Sequence, residues 1–210
     1  MDIERELKYS TTDDHVPSAA EISAALEGTE LNVRSPTVEH YQDVYFDTAD
    51  GALRQAGVAL RKRHRPSGSF ATFKGPVTLR EGLHSRQELE SPLTEAGYWP
   101  DDVRSALPDG VEPRSLSPVA ELDVRRVRLI VDLAGEPVAD IAFDEVKCSS
   151  PDDDDSSVTF HEVEIESLTE DPGAQVHMLR LAEAIETLVP LTLSSFSKLE
   201  RAQALLAAFA

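Results

Sequence analysis

The chain has 210 residues, 39 of them acidic and 20 basic, so its formal net charge is −19. This charge repels nucleic-acid backbones and anionic membranes, so neither is expected as a partner. The single cysteine, Cys148, excludes an internal disulfide and a thiolate metal cage, and the length suits one domain over residues 1–210.

The N-terminus carries charges at Asp2, Glu4, Arg5 and Glu6, where a signal peptide needs an apolar run. No later segment approaches the roughly 18 apolar residues of a membrane span. We therefore expect a cytoplasmic protein.

Most segments alternate between apolar and polar residues, which is the period of a β-strand. Eight strands are predicted, over Ile3–Tyr9, Asp43–Asp47, Val58–Arg65, Phe70–Lys74, Leu83–Ser91, Leu122–Val131, Val138–Val146 and Val158–Leu168. Turn-forming residues at 66–69 and 132–137 predict two hairpins. The expected fold class is mainly β (α+β), with a few helices.

Three segments carry helix signals. Ser18 and Glu21 are spaced as a capping box, which predicts a helix ending near residue 28. A second helix is predicted over residues 174–189. A third follows Ser197, which forms a second capping box with Glu200.

Two further segments have weaker signals. A short helix is predicted around Val103–Leu107. The acidic run from Asp152 to Asp155 is flanked by serines, and we interpret it as a solvated loop between two strands rather than a metal site.

Several predicted strands carry their charged side chains on one face. Successive side chains point to opposite faces, so Glu4, Glu6 and Lys8 lie together, opposite Ile3 and Leu7. The corresponding faces elsewhere carry Arg61 and Arg63; Lys74; Arg86, Glu88 and Glu90; Asp140 and Asp144; and Glu162, Glu164 and Glu166. On any one strand this pattern also fits the water-facing side of an ordinary antiparallel sheet. If the sheet closes, carboxylates that bind a hard cation would face cations that bind phosphate oxygens.

The N-terminal Glu4-x-Glu6-x-Lys8 resembles the signature of the CYTH domain, of the triphosphate tunnel metalloenzyme superfamily. Further blocks resemble this family in the expected order: Tyr45–Thr48 with Leu53–Arg63, Thr72–Pro76, Arg86–Glu90, Asp144–Val146, Glu162–Glu166 and Ser197–Arg201. The resemblance covers nearly the whole chain. It implies an eight-stranded closed antiparallel β-barrel with a few flanking helices, and a divalent-metal-dependent triphosphatase.

The same resemblance implies roles for the charged residues. The metal-binding carboxylates would be Glu4, Glu6, Asp144, Glu162 and Glu164, with Glu88 or Glu90 as additions. The phosphate-binding side would comprise Lys8, Arg61, Arg63, Lys74, Arg86 and Arg125. Strand parity groups Arg125 with Val127 and Leu129, so Arg126 stays open as the inward arginine. The catalytic residues would be Glu6, Lys8, Glu166 and Lys198, and either a second ion or a carboxylate such as Glu6 or Glu166 would orient the attacking water.

These roles predict hydrolysis of the terminal phosphate of a small triphosphate, inorganic triphosphate above all, with Mg²⁺ or Mn²⁺ as the cofactor. Three alternatives stay open: a class IV-type adenylate cyclase, a thiamine triphosphatase using Trp99 as an aromatic platform, and a polyphosphate-binding module without turnover. The expected partner is a small triphosphate or short polyphosphate. The motifs bind phosphates, so they leave the rest of the substrate and the oligomeric state open.

Overall fold

The computed structural model describes residues 2–94, 97–151, 153–171 and 173–209, which form eleven β-strands and five α-helices. The strands are β1 (Asp2–Thr11), β2 (Leu31–Val33), β3 (Thr37–Thr48), β4 (Ala59–Arg65), β5 (Gly68–Lys74), β6 (Thr78–Arg80), β7 (Leu83–Pro92), β8 (Leu116–Leu133), β9 (Glu136–Ser150), β10 (Asp153–Ser167) and β11 (Thr192–Leu193). All eight predicted strands are present. The short strands β2, β6 and β11 lack a sequence signal because two or three residues cannot show a period.

Eight strands close into an antiparallel barrel in the order β1, β10, β9, β8, β3, β4, β5 and β7. Residues 2–7 of β1 pair with β7, and residues 6–11 pair with β10, so β1 joins both ends of the sheet. The expected eight-stranded closed barrel is confirmed.

The helices are α1 (Ala19–Ala25), α2 (Ala52–Gln55), α3 (Asp101–Ser105), α4 (Ala174–Glu186) and α5 (Lys198–Phe209). The capping box of α1 is present, because Ser18 and Glu21 each accept a hydrogen bond from the other's backbone N–H. Ser197 and Glu200 form the same reciprocal pair at the start of α5. None of the helices in the described ranges is long and apolar enough to cross a membrane.

Two segments differ from the sequence-based prediction. The unpredicted helix α2 is fixed by Asp47, whose carboxylate accepts hydrogen bonds from the backbone N–H groups of Leu53 and Arg54. β10 begins at Asp153, so most of the predicted acidic loop is strand, while Asp152 lies outside the described residues. Backbone pairing with β9 extends the strand into a segment whose composition alone favours a loop.

The largest apolar core lies outside the barrel wall. Met178, Leu181 and Ile185 of α4 pack with Leu7 and Ile165, which are on the outward faces of β1 and β10. Each is at most 1% exposed, and burying side chains of this size contributes roughly 1.5–3 kcal/mol each. The wall is therefore stabilised from outside, which leaves its inner face available for charged residues.

Helix α5 lies across one end of the barrel. Its residues Leu199 and Ala202 pack with Leu122, Val146 and Phe160, which project inward from β8, β9 and β10. This end of the interior is apolar and covered by α5. The remaining interior is charged.

Candidate active site inside the barrel

The charged strand faces line a cavity of ≈ 460 Å³. Six of its cationic side chains come from five strands: Lys8, Arg61, Arg63, Lys74, Arg86 and Arg126. Five of the six residues are less than one-tenth exposed. Buried cations need close anionic partners, which the same cavity supplies as carboxylates.

The strand register sets these partners side by side. Arg126 of β8 is opposite Asp144 of β9, which is opposite Glu162 of β10. One row further along β10, Glu164 is opposite Lys8 of β1. Charged residues with the same parity on neighbouring strands therefore meet inside the barrel.

Arg126, rather than Arg125, faces the cavity. Its Nε and Nη2 atoms donate to the two carboxylate oxygens of Asp144 at 2.7 and 2.6 Å, a bidentate pair. Arg125 is exposed on the outer surface. The expectation of Arg125 in the cavity is wrong, because the inner face of β8 changes from apolar to charged between Val124 and Arg126.

Asp43 is a buried residue that the site prediction does not include. Its carboxylate is fully buried and accepts hydrogen bonds from Arg63 at 2.7 and 2.6 Å and from Arg61 at 3.3 Å. The guanidinium of Arg63 also lies 3.9 Å from the ring centre of Tyr41. Asp43 therefore positions the two arginines of β4. Its pairing depends on the β3–β4 register, which spacing along the chain does not reveal.

The first of two acidic groups, which we call the Lys198 cluster, consists of Asp144, Glu162 and Glu164. One oxygen from each lies within 4.8 Å of the others. The ammonium group of Lys198, the first residue of α5, contacts all three, at 2.7 Å for Asp144 and 3.2 Å for Glu164 and more closely for Glu162. Lys198 therefore projects into the barrel from the end that α5 covers.

The second group, which we call the Glu166 cluster, consists of Glu4, Glu6 and Glu166, and Glu6 is opposite Glu166 in the register. Glu4 accepts hydrogen bonds from Lys74 at 2.8 Å and from Arg86 at 2.6 Å. Glu6 pairs with Arg86 at 3.1 Å and with Lys8 at 2.9 Å. Glu166 makes no ion pair with any residue that the structure describes.

A family model of the CYTH domain matches residues 2–202. The chain belongs to the CYTH domain family. The family resemblance drawn from the sequence motifs is thereby confirmed, and the charged cavity is the interior of a CYTH barrel. A comparison with curated protein sequences gave no match.

Solved structures share the fold of this CYTH domain. A Hippeastrum protein, described as a proposed adenylyl cyclase with a dominant triphosphatase activity, has a TM-score of 0.61 and 19% identity, over 96% of this chain and 95% of its own. A Bacillus halodurans protein described as a proposed adenylate cyclase has a TM-score of 0.57 and 18% identity, over 96% and 98%. A Pyrococcus horikoshii protein has a TM-score of 0.58 and 22% identity, over 99% of both chains. At these identities the likeness shows the fold.

The two clusters of this CYTH domain differ in their electrostatics. Burial and the charges of Glu4 and Glu6 raise the pKa of Glu166 to about 8. Burial would also raise the pKa of Glu164, but the charges of Lys198, Lys8 and Arg126 hold it well below its ordinary value. Among the described residues, Glu166 therefore lacks a cation close enough to hold it ionised, whereas Lys198, Lys8 and Arg126 hold Glu164 ionised.

Within the Lys198 cluster, the three carboxylates are not equivalent. Arg126 and Lys198 hold the pKa of Asp144 below its ordinary value, although burial acts in the opposite direction. Burial raises the pKa of Glu162 despite the charge of Lys198. Arg201 adds a distant pair to Glu162, at 3.9 Å.

The donor set of the Glu166 cluster fits a hard divalent cation, since it offers carboxylate oxygens and one of its carboxylates lacks an ion pair among the described residues. Mg²⁺ is commonly held by one or two carboxylates together with phosphate oxygens and water. The CYTH barrel can therefore bring such an ion next to Lys74 and Arg86, which contact the same carboxylates.

The remaining predicted residues lie near the end of the cavity away from α5. Glu88 pairs with Lys74 at 2.8 Å, and Glu90 pairs with Arg65 at 3.5 Å. An additional pair, Arg128 with Asp140, lines the cavity and was not assigned a role from the sequence. These residues supply both signs of charge at the entrance.

The aromatic residues occupy two different environments. Tyr45 lines the cavity, where the residue is 3% exposed. Trp99 packs edge-on against Phe46, and Lys62 lies over its ring, on the outside of the barrel. Trp99 is therefore not placed as a platform at the cavity entrance.

Proposed function

We propose that this CYTH domain hydrolyses the terminal phosphate of a small triphosphate, with inorganic triphosphate as the preferred substrate and Mg²⁺ or Mn²⁺ as the cofactor. The observation that supports this most is the convergence of six cations, five of them buried, and two carboxylate clusters in one cavity. Phosphoryl transfer requires mainly positioning and charge neutralisation, which these groups provide without a covalent step.

The phosphate-binding side consists of Lys8, Arg61, Arg63, Lys74, Arg86 and Arg126. The planar guanidinium group of an arginine can donate to two phosphate oxygens at once. Asp43 holds the guanidinium groups of Arg61 and Arg63 in place. Five of these six cationic residues are buried, so each charge contact with the substrate would be stronger than it would be on an exposed surface.

Of the carboxylates that the family resemblance assigns to the divalent ion, we keep Glu4 and Glu6. We assign Glu166 in place of Asp144, Glu162 and Glu164, because Lys198 contacts all three. When bound, the ion would supply positive charge that offsets the charge of the phosphate groups. Lys74 and Arg86 contact Glu4, so they are within reach of the same phosphate group.

In the reaction, the oxygen of a water molecule forms a bond to the terminal phosphorus while the bond from that phosphorus to the bridging oxygen breaks. Pyrophosphate leaves with the bonding electrons, and the water gives up its proton. We assign Glu166 to orient this water and to receive the proton, since Glu6 is already paired with Lys8 and Arg86. Lys8 bridges Glu6 and Glu164, so it connects the two clusters beside the substrate.

The cavity lining favours inorganic triphosphate over nucleotides and thiamine triphosphate. Tyr45 is the one aromatic residue among the described residues that line it, and it is almost fully buried. A nucleobase or a thiamine ring would therefore lack an exposed stacking surface. The substrate would be recognised through its phosphates, because the six cations line the cavity.

Adenylate cyclase activity is the second candidate, because two proteins of the same fold are described as proposed cyclases. A cyclase would release pyrophosphate from ATP and form cyclic AMP, whereas a hydrolase would release orthophosphate. A polyphosphate-binding module would bind triphosphate and release neither product.

The test is orthophosphate release from inorganic triphosphate, ATP and thiamine triphosphate, with Mg²⁺ or Mn²⁺. We expect inorganic triphosphate to be the best substrate, and the Glu4→Gln/Glu6→Gln variant to lose at least about 100-fold in kcat/KM. The matched control is Asp123→Asn/Glu145→Gln, which changes two exposed acidic residues outside the barrel. Orthophosphate release from none of the three would contradict the proposal, and cyclic AMP would then identify the cyclase.

A further inference from the structure

The ammonium group of Lys198 occupies the centre of the tightest acidic cluster among the described residues. It contacts Asp144, Glu162 and Glu164, whose nearest oxygens lie within 4.8 Å of one another. Lys198, Asp144 and Glu162 are 6%, 2% and 5% exposed. This is the arrangement in which a metal ion would be held, with a side-chain cation in its place.

Two features fix the position of this ammonium group. Lys198 is the first residue of α5, directly after the capping pair of Ser197 and Glu200. The next residues along the helix face, Leu199 and Ala202, are packed in the apolar cluster at the covered end of the barrel. The lysine is therefore held by folded structure on both sides and does not depend on a bound ligand.

Cations surround the carboxylates of this cluster. Arg126 pairs with Asp144 and Glu164, and Lys8, which is shared with Glu6, pairs with Glu164. A divalent ion approaching this group would be repelled by the buried ammonium that already contacts all three carboxylates. The Glu166 cluster differs because Glu166 has no ion pair among the described residues.

We propose that Lys198 is a built-in replacement for a second divalent ion, so this CYTH domain binds one divalent ion, and removal of the ammonium group turns the Lys198 cluster into a metal site. The inference rests on the proposed function only for the ion assigned to the Glu166 cluster. The change in ion count caused by Lys198 stands independently of turnover.

The first test counts bound Mn²⁺ by electron paramagnetic resonance and calorimetry. We expect one ion for the wild type and two for Lys198→Met. Lys198→Arg keeps the positive charge and should bind one, as should Lys147→Met, which removes an exposed lysine outside the barrel. Lys198→Met/Glu162→Gln should return to one ion, because its remaining carboxylates are balanced by Arg126 and Lys8.

The second test uses thermal unfolding, since Lys198→Met leaves buried carboxylates without their cation. We expect a lower Tm than wild type in metal-free buffer, and a larger rise in Tm on adding Mn²⁺. A Lys198→Met protein that stays unfolded at saturating Mn²⁺ would contradict the proposal, because a fitting ion would replace the lost charge.

An unchanged ion count in Lys198→Met would overturn the inference. Two ions in the wild type, one of them lost in Glu162→Gln, would overturn it as well. If the wild type bound no ion, the proposed metal-dependent reaction would fail, while a rise from none to one in Lys198→Met would still support the role of Lys198.

Discussion

The Lys198 cluster and the Glu166 cluster each contain three carboxylates inside the same barrel, but they differ in how completely cations surround them. Asp144 contacts two cations and Glu164 contacts three, whereas Glu166 forms no ion pair with any of the described residues. The pKa of Glu164 is held low by its cations, while burial and the charges of Glu4 and Glu6 raise that of Glu166 to about 8.

This difference separates two uses of buried charge. A fully paired carboxylate contributes to a fixed arrangement, and its loss leaves its partners uncompensated. A carboxylate beside like charges gains a favourable interaction only when another cation arrives. We therefore expect substitutions in the Lys198 cluster to affect mainly stability, and substitutions in the Glu166 cluster to affect mainly catalysis.

The largest expected effect is that of Asp144→Asn. The change removes the partner of Arg126 and Lys198, and breaking a buried ion pair of this kind costs about 3–5 kcal/mol in the free energy of unfolding. Urea denaturation measures the loss. Glu166→Gln is the matched control, because the same change of carboxylate to amide breaks no ion pair among the described residues and should cost less than about 1 kcal/mol. Equal losses would remove the distinction between the clusters.

The next effect is catalytic. Glu166→Gln should lower kcat/KM for inorganic triphosphate by at least about 100-fold, or about 2.7 kcal/mol, because it removes the group assigned to orient the water. Steady-state orthophosphate release measures this. Activity within tenfold of wild type would exclude Glu166 from this role.

Asp43 extends the class of fully paired carboxylates. Arg61 and Arg63 overcome burial and lower its pKa from 3.8 to about 2, so its contribution is present above pH 3.8 and is lost as the pH falls through about 2. The contribution is about 2 kcal/mol, because a tenfold change in proton affinity corresponds to about 1.4 kcal/mol. The free energy of unfolding of wild type and Asp43→Asn, measured from pH 5 to pH 2, should converge at the acid end. A constant difference would contradict this assignment.

The smallest effect compares the two adjacent arginines of β8. Arg126→Met should raise the KM for inorganic triphosphate by about tenfold, the cost of one lost charged contact. Arg125→Met should change it less than about twofold, because Arg125 is exposed outside the barrel. Similar KM values for the two variants would mean that Arg126 does not contact the substrate.

The inward direction of Glu4, Glu6 and Lys8 follows from strand period alone, and the same is true of Glu162, Glu164 and Glu166. Their outward neighbours are apolar because α4 covers that side of the wall. Parity fails in β8, where the inner face is apolar at Val124 and charged at Arg126. Where the inner face of β8 changes from apolar to charged, apolar residues lie on both faces of the strand. Alternation alone therefore does not identify the inward face.

Pairing between distant strands is the part that a single sequence does not specify. Asp43 appears in the sequence as one carboxylate in an aromatic strand, and it becomes the anchor of Arg61 and Arg63 through the β3–β4 register. Lys198 is separated by 34 residues or more from its partners Asp144 and Glu164. The short helix α2 likewise depends on hydrogen bonds to Asp47, not on helix propensity.

Helix α5 covers one end of the barrel, so a molecule that enters the interior from the other end must leave through the same opening. A phosphate chain would enter tip first, and its terminal group would stop where Lys8 and Glu166 face the cavity. After cleavage, the longer fragment lies nearer the exit and departs first, while orthophosphate departs last. Longer phosphate chains would accordingly be shortened from their ends, and never divided in the middle.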